Sequence, residues 1–317
     1  MAGLVSAVVL AAAMPLAHAA WPDKPIRLVV PYGPGGSSDV IARLLANEMG
    51  KTFGQAVVVD NKAGASGIIA MQEVARALPD GYTVVLGHVG TLAVNPAMFA
   101  KLPYRDEDFA PAVLLAKVPM VFAVGAKVPA QNFAEFVALA KAQPGKLNYG
   151  SAGNGSAGHL AFEMLKVTAN IDVTHVPYKG TGAQLNDLLA GSTDAASAGP
   201  PGFVAQAKAG KIRIIASGSP QRLSALPNVP TVAELGYPGF DSSQWFGILA
   251  PARTPPEIVT RLHDAAVKAL NVPAVRARLE EEGSSASPMA PADFAKFIKS
   301  ERDRWGTVVR KAGLRAE

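Results

Sequence analysis

A repeated order of strand, glycine-rich loop and helix constrains this chain more than any other feature. Ile26–Val30 is a short apolar run rich in β-branched residues that stops at Pro31. A Gly/Ser loop follows, and Val40, Ile41, Leu44, Leu45 and Met49 then recur at helical spacing up to Gly50. Residues 56–59 read as a second strand, 67–78 as a second helix, and Pro79-Asp80-Gly81 as a turn into a strand over 82–86. The order β-α-β-α-β predicts a parallel sheet covered by helices. A second unit of the same style follows. It has a strand over 146–149, a loop over 150–155, a helix over 156–166, a strand over 173–176, a helix over 183–190 and a strand over Ile212–Ser217.

Between the units, residues 118–124 read as a strand leading out, followed by a helix over 132–142. Gln244–Pro251 reads as the segment leading back, followed by the helix Pro256–Leu270. A last amphipathic helix over 293–312 turns Phe294, Phe297, Ile298, Trp305, Val308 and Val309 inward. Two crossings between two α/β units predict a cleft, with the strand-end loops of each unit facing the other across it. The expected division is 20–122 plus 246–317 for one domain and 123–245 for the other. Two domains also suit a length of 317 residues.

Composition narrows the chemistry. With 49% apolar and 17% charged side chains the chain has the means to build a core. The absence of cysteine removes disulfides, thiolate nucleophiles, thiolate zinc sites and cysteine-ligated iron–sulfur clusters. A net charge of +5 is too dilute for the clustered basic stripe that nucleic acid requires, so no nucleic-acid partner is expected. His88, His159, His175 and His263 lack paired metal-ligand spacing, so neither a metal nor a cofactor is expected. Glu280-Glu281-Glu282 reads as a solvated helix end.

Residues 1–19 carry no Lys, Arg, Asp or Glu, run apolar from Leu4 to Leu16, and end in Ala17-His18-Ala19. That pattern fits a signal peptide cleaved after Ala19 and predicts an exported, periplasmic protein. No basic residue precedes the apolar run, which leaves room for a start further upstream. No later segment has the roughly 18 uninterrupted apolar residues of a membrane span.

The loops carry the candidate site. Pro31-Tyr32-Gly33-Pro34-Gly35-Gly36-Ser37-Ser38-Asp39 opens the first helix. Gly35 and Gly36 let the backbone approach a ligand, and unpaired N–H groups at the positive helix end attract an anion. Ser37, Ser38 and Asp39 equally suit plain helix capping, and Tyr32 either lines a pocket or packs inward.

The matching loop of the second unit is Tyr149-Gly150-Ser151-Ala152-Gly153-Asn154-Gly155-Ser156-Ala157-Gly158-His159. Its literal G-x-G-x-x-G lacks the acidic residue that should end the next strand, so a dinucleotide is not indicated. Neither Ser151 nor Ser156 stands in G-x-S-x-G. What remains is a second rim of N–H groups and hydroxyls, with Ser151, Ala152, Asn154 and Ser156 as ligand candidates. His159 suits either an anion contact or a structural hydrogen bond. Lys179 faces either the anion or solvent, Thr181 binds ligand or caps the next helix, and Gly87-His88-Val89-Gly90-Thr91, which ends the third strand of the first unit, offers residues to complete its rim.

Several stretches together resemble the Bug-type extracytoplasmic solute receptors of tripartite tricarboxylate transporters. They are residues 31–39, Pro79-Asp80-Gly81-Tyr82-Thr83, Leu102-Pro103-Tyr104, residues 149–156, His175-Val176-Pro177-Tyr178-Lys179-Gly180, Leu226-Pro227-Asn228-Val229-Pro230-Thr231 and residues 245–256. They follow the family's order from Trp21 to the C-terminus. The resemblance implies an α/β, two-domain periplasmic-binding-protein-like (type II) fold with a hinge and a central cleft. It implies closure over a small organic acid or amino-acid-like carboxylate, held largely by backbone groups and waters of the loops at 32–39 and 151–156. It also implies docking onto the integral membrane subunits of a tripartite carrier. A monomer suits hinge motion. Residues 194–201 are small and poor in aromatics where relatives vary, so the solute's identity does not carry over. The rival readings are an exported enzyme acting on a carboxylated substrate, which lacks a convincing Ser/His/Asp set, and a receptor that presents its ligand to a sensor.

Overall fold

The computed structural model of the chain describes residues 21–34, 37–281 and 283–315. The segment read as a signal peptide, together with Gly35 and Gly36, lies outside these residues. The first sheet has six strands in the order β11-β4-β10-β3-β1-β2. They are β1 (Ile26–Val30), β2 (Val57–Asn61), β3 (Thr83–His88), β4 (Phe109–Val118), β10 (Gln244–Pro251) and β11 (Ser285–Met289). The second has five in the order β7-β6-β8-β5-β9. These are β5 (Val121–Gly125), β6 (Asn148–Ser151), β7 (Thr174–Pro177), β8 (Ala195–Ala198) and β9 (Ile212–Ser217).

The helices are α1 (Ser37–Phe53), α2 (Ile68–Ala75), α3 (Asn95–Met98), α4 (Phe133–Ala142), α5 (Ala157–Ala169), α6 (Thr181–Ala190), α7 (Pro200–Lys208), α8 (Pro256–Leu270), α9 (Pro273–Glu281) and α10 (Pro291–Lys311). A π-helical turn over Gly90–Val94 leads into α3.

The parallel core predicted from the β-α repeat is present in each sheet. β1 runs parallel to β2 and β3, and β6 parallel to β7 and β8. Each sheet is nevertheless mixed. β10 is antiparallel to β3 and β4, β11 is antiparallel to β4, and β5 is antiparallel to β8 and β9. The expectation of one strand over 118–124 also needs correction. Pro119, which has no N–H to give a ladder, divides the segment, so β4 ends at Val118 in one sheet and β5 begins at Val121 in the other.

The crossings lie side by side. The Gly218 N–H donates to the Met120 carbonyl at 2.7 Å, and the Ser242 N–H donates to the Gly218 carbonyl at 2.8 Å. A Cβ on Gly218 would lie 2.0 Å from Ser242 Oγ and 3.1 Å from the Met120 carbonyl oxygen, so this close approach requires glycine.

Helix α10 closes the first sheet with the stripe read from its spacing. Phe294, Ile298, Trp305, Val308 and Val309 are buried, and Phe297 is half-buried. Burying side chains of this size contributes roughly 1.5–3 kcal/mol apiece. The seat is specific. A Cβ on Gly247 of β10 would lie 2.2 Å from Cζ of Phe294, so the ring rests on bare backbone. Glu301 sits among these apolar groups as a shared acceptor. Trp245 and Trp305 donate their indole N–H groups to Oε2 at 2.8 and 3.2 Å, and Arg304 pairs with the same carboxylate.

Candidate functional site

The strand register brings the loop-bearing edges of the two sheets together. In the first sheet Phe246 pairs with His88 and Gln244 with Val118. In the second, Val121 pairs with both Ala198 and Ser217. Only Pro119 and Met120 separate Val118 from Val121. The carboxyl ends of β1 and β3 therefore lie toward those of β6 and β8, the place where ligands settle in open α/β sheets.

On the first rim, Tyr32 is half-buried, and its phenol oxygen lies 2.9 Å from Nδ1 of His88. His88 ends β3 and is buried. Its Nδ1 also accepts the Gly90 N–H at 2.9 Å, so the proton of the neutral ring sits on Nε2, which donates to Oε1 of Gln244 at 3.0 Å. Burial lowers the His88 pKa to about 4, partly countered by the Gln244 hydrogen bond. Burial also pushes the Tyr32 phenol up. Asn61, at the end of β2, fixes the loop by donating to the Tyr32 carbonyl at 3.0 Å.

Ser38 is buried and Ser37 half-buried in the first turn of α1, where Asp39 pairs with Arg43 at 3.0 Å. Thr91 is fully buried. Its hydroxyl donates to the His88 carbonyl at 3.1 Å and accepts the His88 N–H at 3.2 Å, closing the turn behind the rim.

On the second rim, Ser156 caps α5 by accepting the His159 N–H at 3.3 Å. The loop before it turns through Gly153 (φ 127°) and Gly155 (φ 73°), values that favour glycine. Ala152 is half-buried, and Asn154 is exposed. Ser151 is fully buried. Its hydroxyl accepts the Gly153 N–H at 3.1 Å and meets Nε2 of His175 at 2.6 Å. Gly158 presses the helix onto β8, since a Cβ there would lie 2.0 Å from the Ser197 carbonyl oxygen.

Lys179 and Thr181 are both exposed, and α6 begins without a side-chain cap from Gly180. Their neighbour Gln184 is buried and ties two strand ends together, donating to the Gly150 and Ser197 carbonyls at 3.0 and 2.9 Å.

Behind the second rim runs a column of stacked rings. Phe162 lies 3.9 Å from Tyr149, Tyr149 lies 4.9 Å from His175, and His175 lies 4.1 Å from His159. Tyr149 donates to the buried Glu163 at 2.6 Å, and Lys166 pairs with the same oxygen at 2.9 Å. A cavity of about 630 Å³ opens beside the column, between Ser66 and Phe99 of the first unit and Asn154, His159 and His175 of the second. Asn154 and His159 of the predicted set are thus brought to one cavity with residues of the facing unit. Among the described residues no group of three or more His, Asp or Glu side chains suits a metal ion.

Known proteins match this arrangement. The family model described as the tripartite tricarboxylate transporter family receptor matches residues 41–314. The chain belongs to this receptor family. The structure of the periplasmic binding protein BugD is 33% identical, with 94% of this chain and 100% of BugD covered and a TM-score of 0.81. A Rhodopseudomonas palustris protein solved with adipate, Rpa4515, is 35% identical, with 93% and 99% of the two chains covered and a TM-score of 0.83. MatC from the same organism, solved with bound malate, is 35% identical, with 91% and 100% covered and a TM-score of 0.80.

The receptor therefore has the two-domain α/β architecture of periplasmic solute-binding proteins expected from the resemblance. Among its described residues no helix is long and apolar enough to cross a membrane. Sequence reasoning missed Gln244 and His175, and reached His88 only as part of the 87–91 strand end. His88 ends its strand, whereas His175 lies within β7 and Gln244 carried no such signal.

Proposed function

We propose that this receptor captures a small carboxylated solute between its two loop rims and delivers it to the membrane subunits of a tripartite carrier. The observation that carries the reading is the pair of strand-to-helix loops, one from each sheet, opposed across the crossings. Each opens a helix whose first N–H groups and positive dipole end favour an anion. Tyr32, Ser37 and Ser38 belong to the first rim, with Thr91 supporting it, and the expected contribution of Gly35 and Gly36 falls outside the described residues. Ser151, Ala152, Asn154, Ser156 and His159 form the second, and Lys179 and Thr181 stand at its margin. Adipate and malate in two relatives of the same family support the choice of a carboxylate.

The lobes, 20–122 plus 246–317 and 123–245, close by pivoting where Met120, Gly218 and Ser242 are hydrogen-bonded. The chain works in the periplasm after export, as a monomer, and performs no covalent chemistry.

One contact bears on the enzyme alternative, the 2.6 Å approach of Ser151 Oγ to His175 Nε2. It does not make a nucleophile. Ser151 is fully buried, its hydroxyl is taken up within its own loop, and no described carboxylate hydrogen-bonds His175.

Calorimetry of the protein against mono-, di- and tricarboxylates, with amino acids and neutral sugars as controls, tests the proposal. Saturable binding within the carboxylate set is expected. Binding of neutral sugars alone would overturn the reading.

A further inference from the structure

We propose that His159 is a positioning residue whose neutral ring holds the second rim in its gripping shape, so that acid opens the rim and releases the solute. The inference rests on the reading of residues 151–156 as a solute-gripping loop.

The Gly155 N–H donates to Nδ1 of His159 at 3.1 Å, and Gly155 is a left-handed turn residue at the centre of that loop. An imidazole nitrogen accepts only while it is unprotonated. A proton added to Nδ1 would set N–H against N–H, and the Gly155 amide would lose its partner.

The second loop-to-histidine contact has no such conflict. Ser151 Oγ lies 2.6 Å from His175 Nε2 and 3.1 Å from the Gly153 carbonyl oxygen. A protonated His175 donates to Oγ while the hydroxyl proton turns to Gly153, so that contact survives. Acid sensitivity is therefore concentrated at the contact between Gly155 and His159.

The surroundings hold the ring neutral. His159 is 5% exposed, and its ring stacks on that of His175 with centroids 4.1 Å apart, which opposes charging both rings. The groups around it are His175 from β7, Tyr149 from β6, and Glu163 and Lys166 from α5, with Arg315 at the rim of the cavity. Tyr149 and Lys166 both hold Glu163, so its negative charge is largely spent.

Burial first, and the Lys166 charge second, lower the His159 pKa from 6.5 to about 4. A ring released to solvent regains its ordinary value. Proton uptake therefore favours the open rim below the ordinary value, by up to about tenfold per pH unit, until the closed-state value is reached. Above the ordinary value the contact is fully formed.

The test follows the Gly155 amide by NMR from pH 7 to 4, and measures adipate and malate affinity by calorimetry over the same range. It uses the wild type, His159→Asn and Lys166→Met, with circular dichroism to verify folding. Asparagine offers an acceptor oxygen near the place of Nδ1 but does not titrate. Each variant is read as its own ratio of affinities at the two pH extremes, which separates the imidazole from protonation of the solute.

The wild-type amide signal is expected to move with the titration of His159 while affinity falls. In His159→Asn both should flatten to the residual slope of the solute. In Lys166→Met both should shift to higher pH, because a cation that opposes protonation is gone. A Gly155 signal that ignores His159 titration, or a His159→Asn ratio equal to that of the wild type, would overturn the inference. Failure of every carboxylate to bind at pH 7 would instead reject the receptor reading, and the Gly155 signal would still decide whether the contact breaks in acid.

Discussion

His88 shows how one buried side chain sets the geometry of a strand-end loop. It receives the Gly90 N–H, meets the Tyr32 phenol and donates to Gln244, so a loop, a strand end and a returning crossing share one ring. Replacing Gln244 with Ala leaves the Nε2 proton without its partner and is expected to cost about 1–3 kcal/mol in urea unfolding. Burial holds His88, His159 and His175 each at about 4 in the folded chain, against 6.5 when unfolded. The unfolded chain therefore binds more protons between these values. Stability is complete above the unfolded value and falls as pH drops toward the folded one. Thermal melts should give a constant Tm above about pH 6.5 and a steady decline from there toward pH 4. A Tm that rises on acidification would contradict the neutral assignment.

Gly158 offers a second test at this scale. Gly158→Ala puts a methyl 2.0 Å from a backbone oxygen of β8 and should destabilise by about 3 kcal/mol, visible as a lower urea midpoint. The glycine-rich text at 153–158 was legible as a loop entering a helix. The partnership of His88 with Gln244 was not, because 156 positions separate them and only the returning strand joins them.

Elements were legible where a period was present. Residues 256–270 and 212–217 have the bounds read from the sequence, and the 293–312 helix is found at 291–311. Strand β4 escaped notice because it lies between β10 and β11 and packs against both α8 and α10, so most of its residues are buried and no alternation survives. Strand β8 is four small residues, and β11 contains Pro288, which reads against a strand in the sequence but is accommodated at the sheet edge that β11 occupies.

The attachment of α10 was read as an apolar stripe alone, but a buried carboxylate also fixes it. Removing Glu301 as Glu301→Ala strands two indole N–H groups and takes the carboxylate from Arg304, which keeps the Asp241 carbonyl and solvent. A loss of about 3–5 kcal/mol is expected by chemical denaturation. A change within experimental scatter would mean that the helix is held by its apolar face only.

The whole molecule is two mixed sheets whose loop-bearing edges face each other because the chain crosses between them twice within hydrogen-bonding reach. Both crossings were visible in the sequence as apolar segments between the units. The way they are tied through Gly218 was not, since glycine in a loop gives no sign of what will pack against it. The two loop rims are opposed because of this arrangement. The most direct measurement is a crystal structure of the protein with whichever carboxylate calorimetry selects. The carboxylate is expected within hydrogen-bonding distance of main-chain N–H groups from both 32–39 and 151–156. A solute seated away from either loop, or held only by cationic side chains, would contradict it.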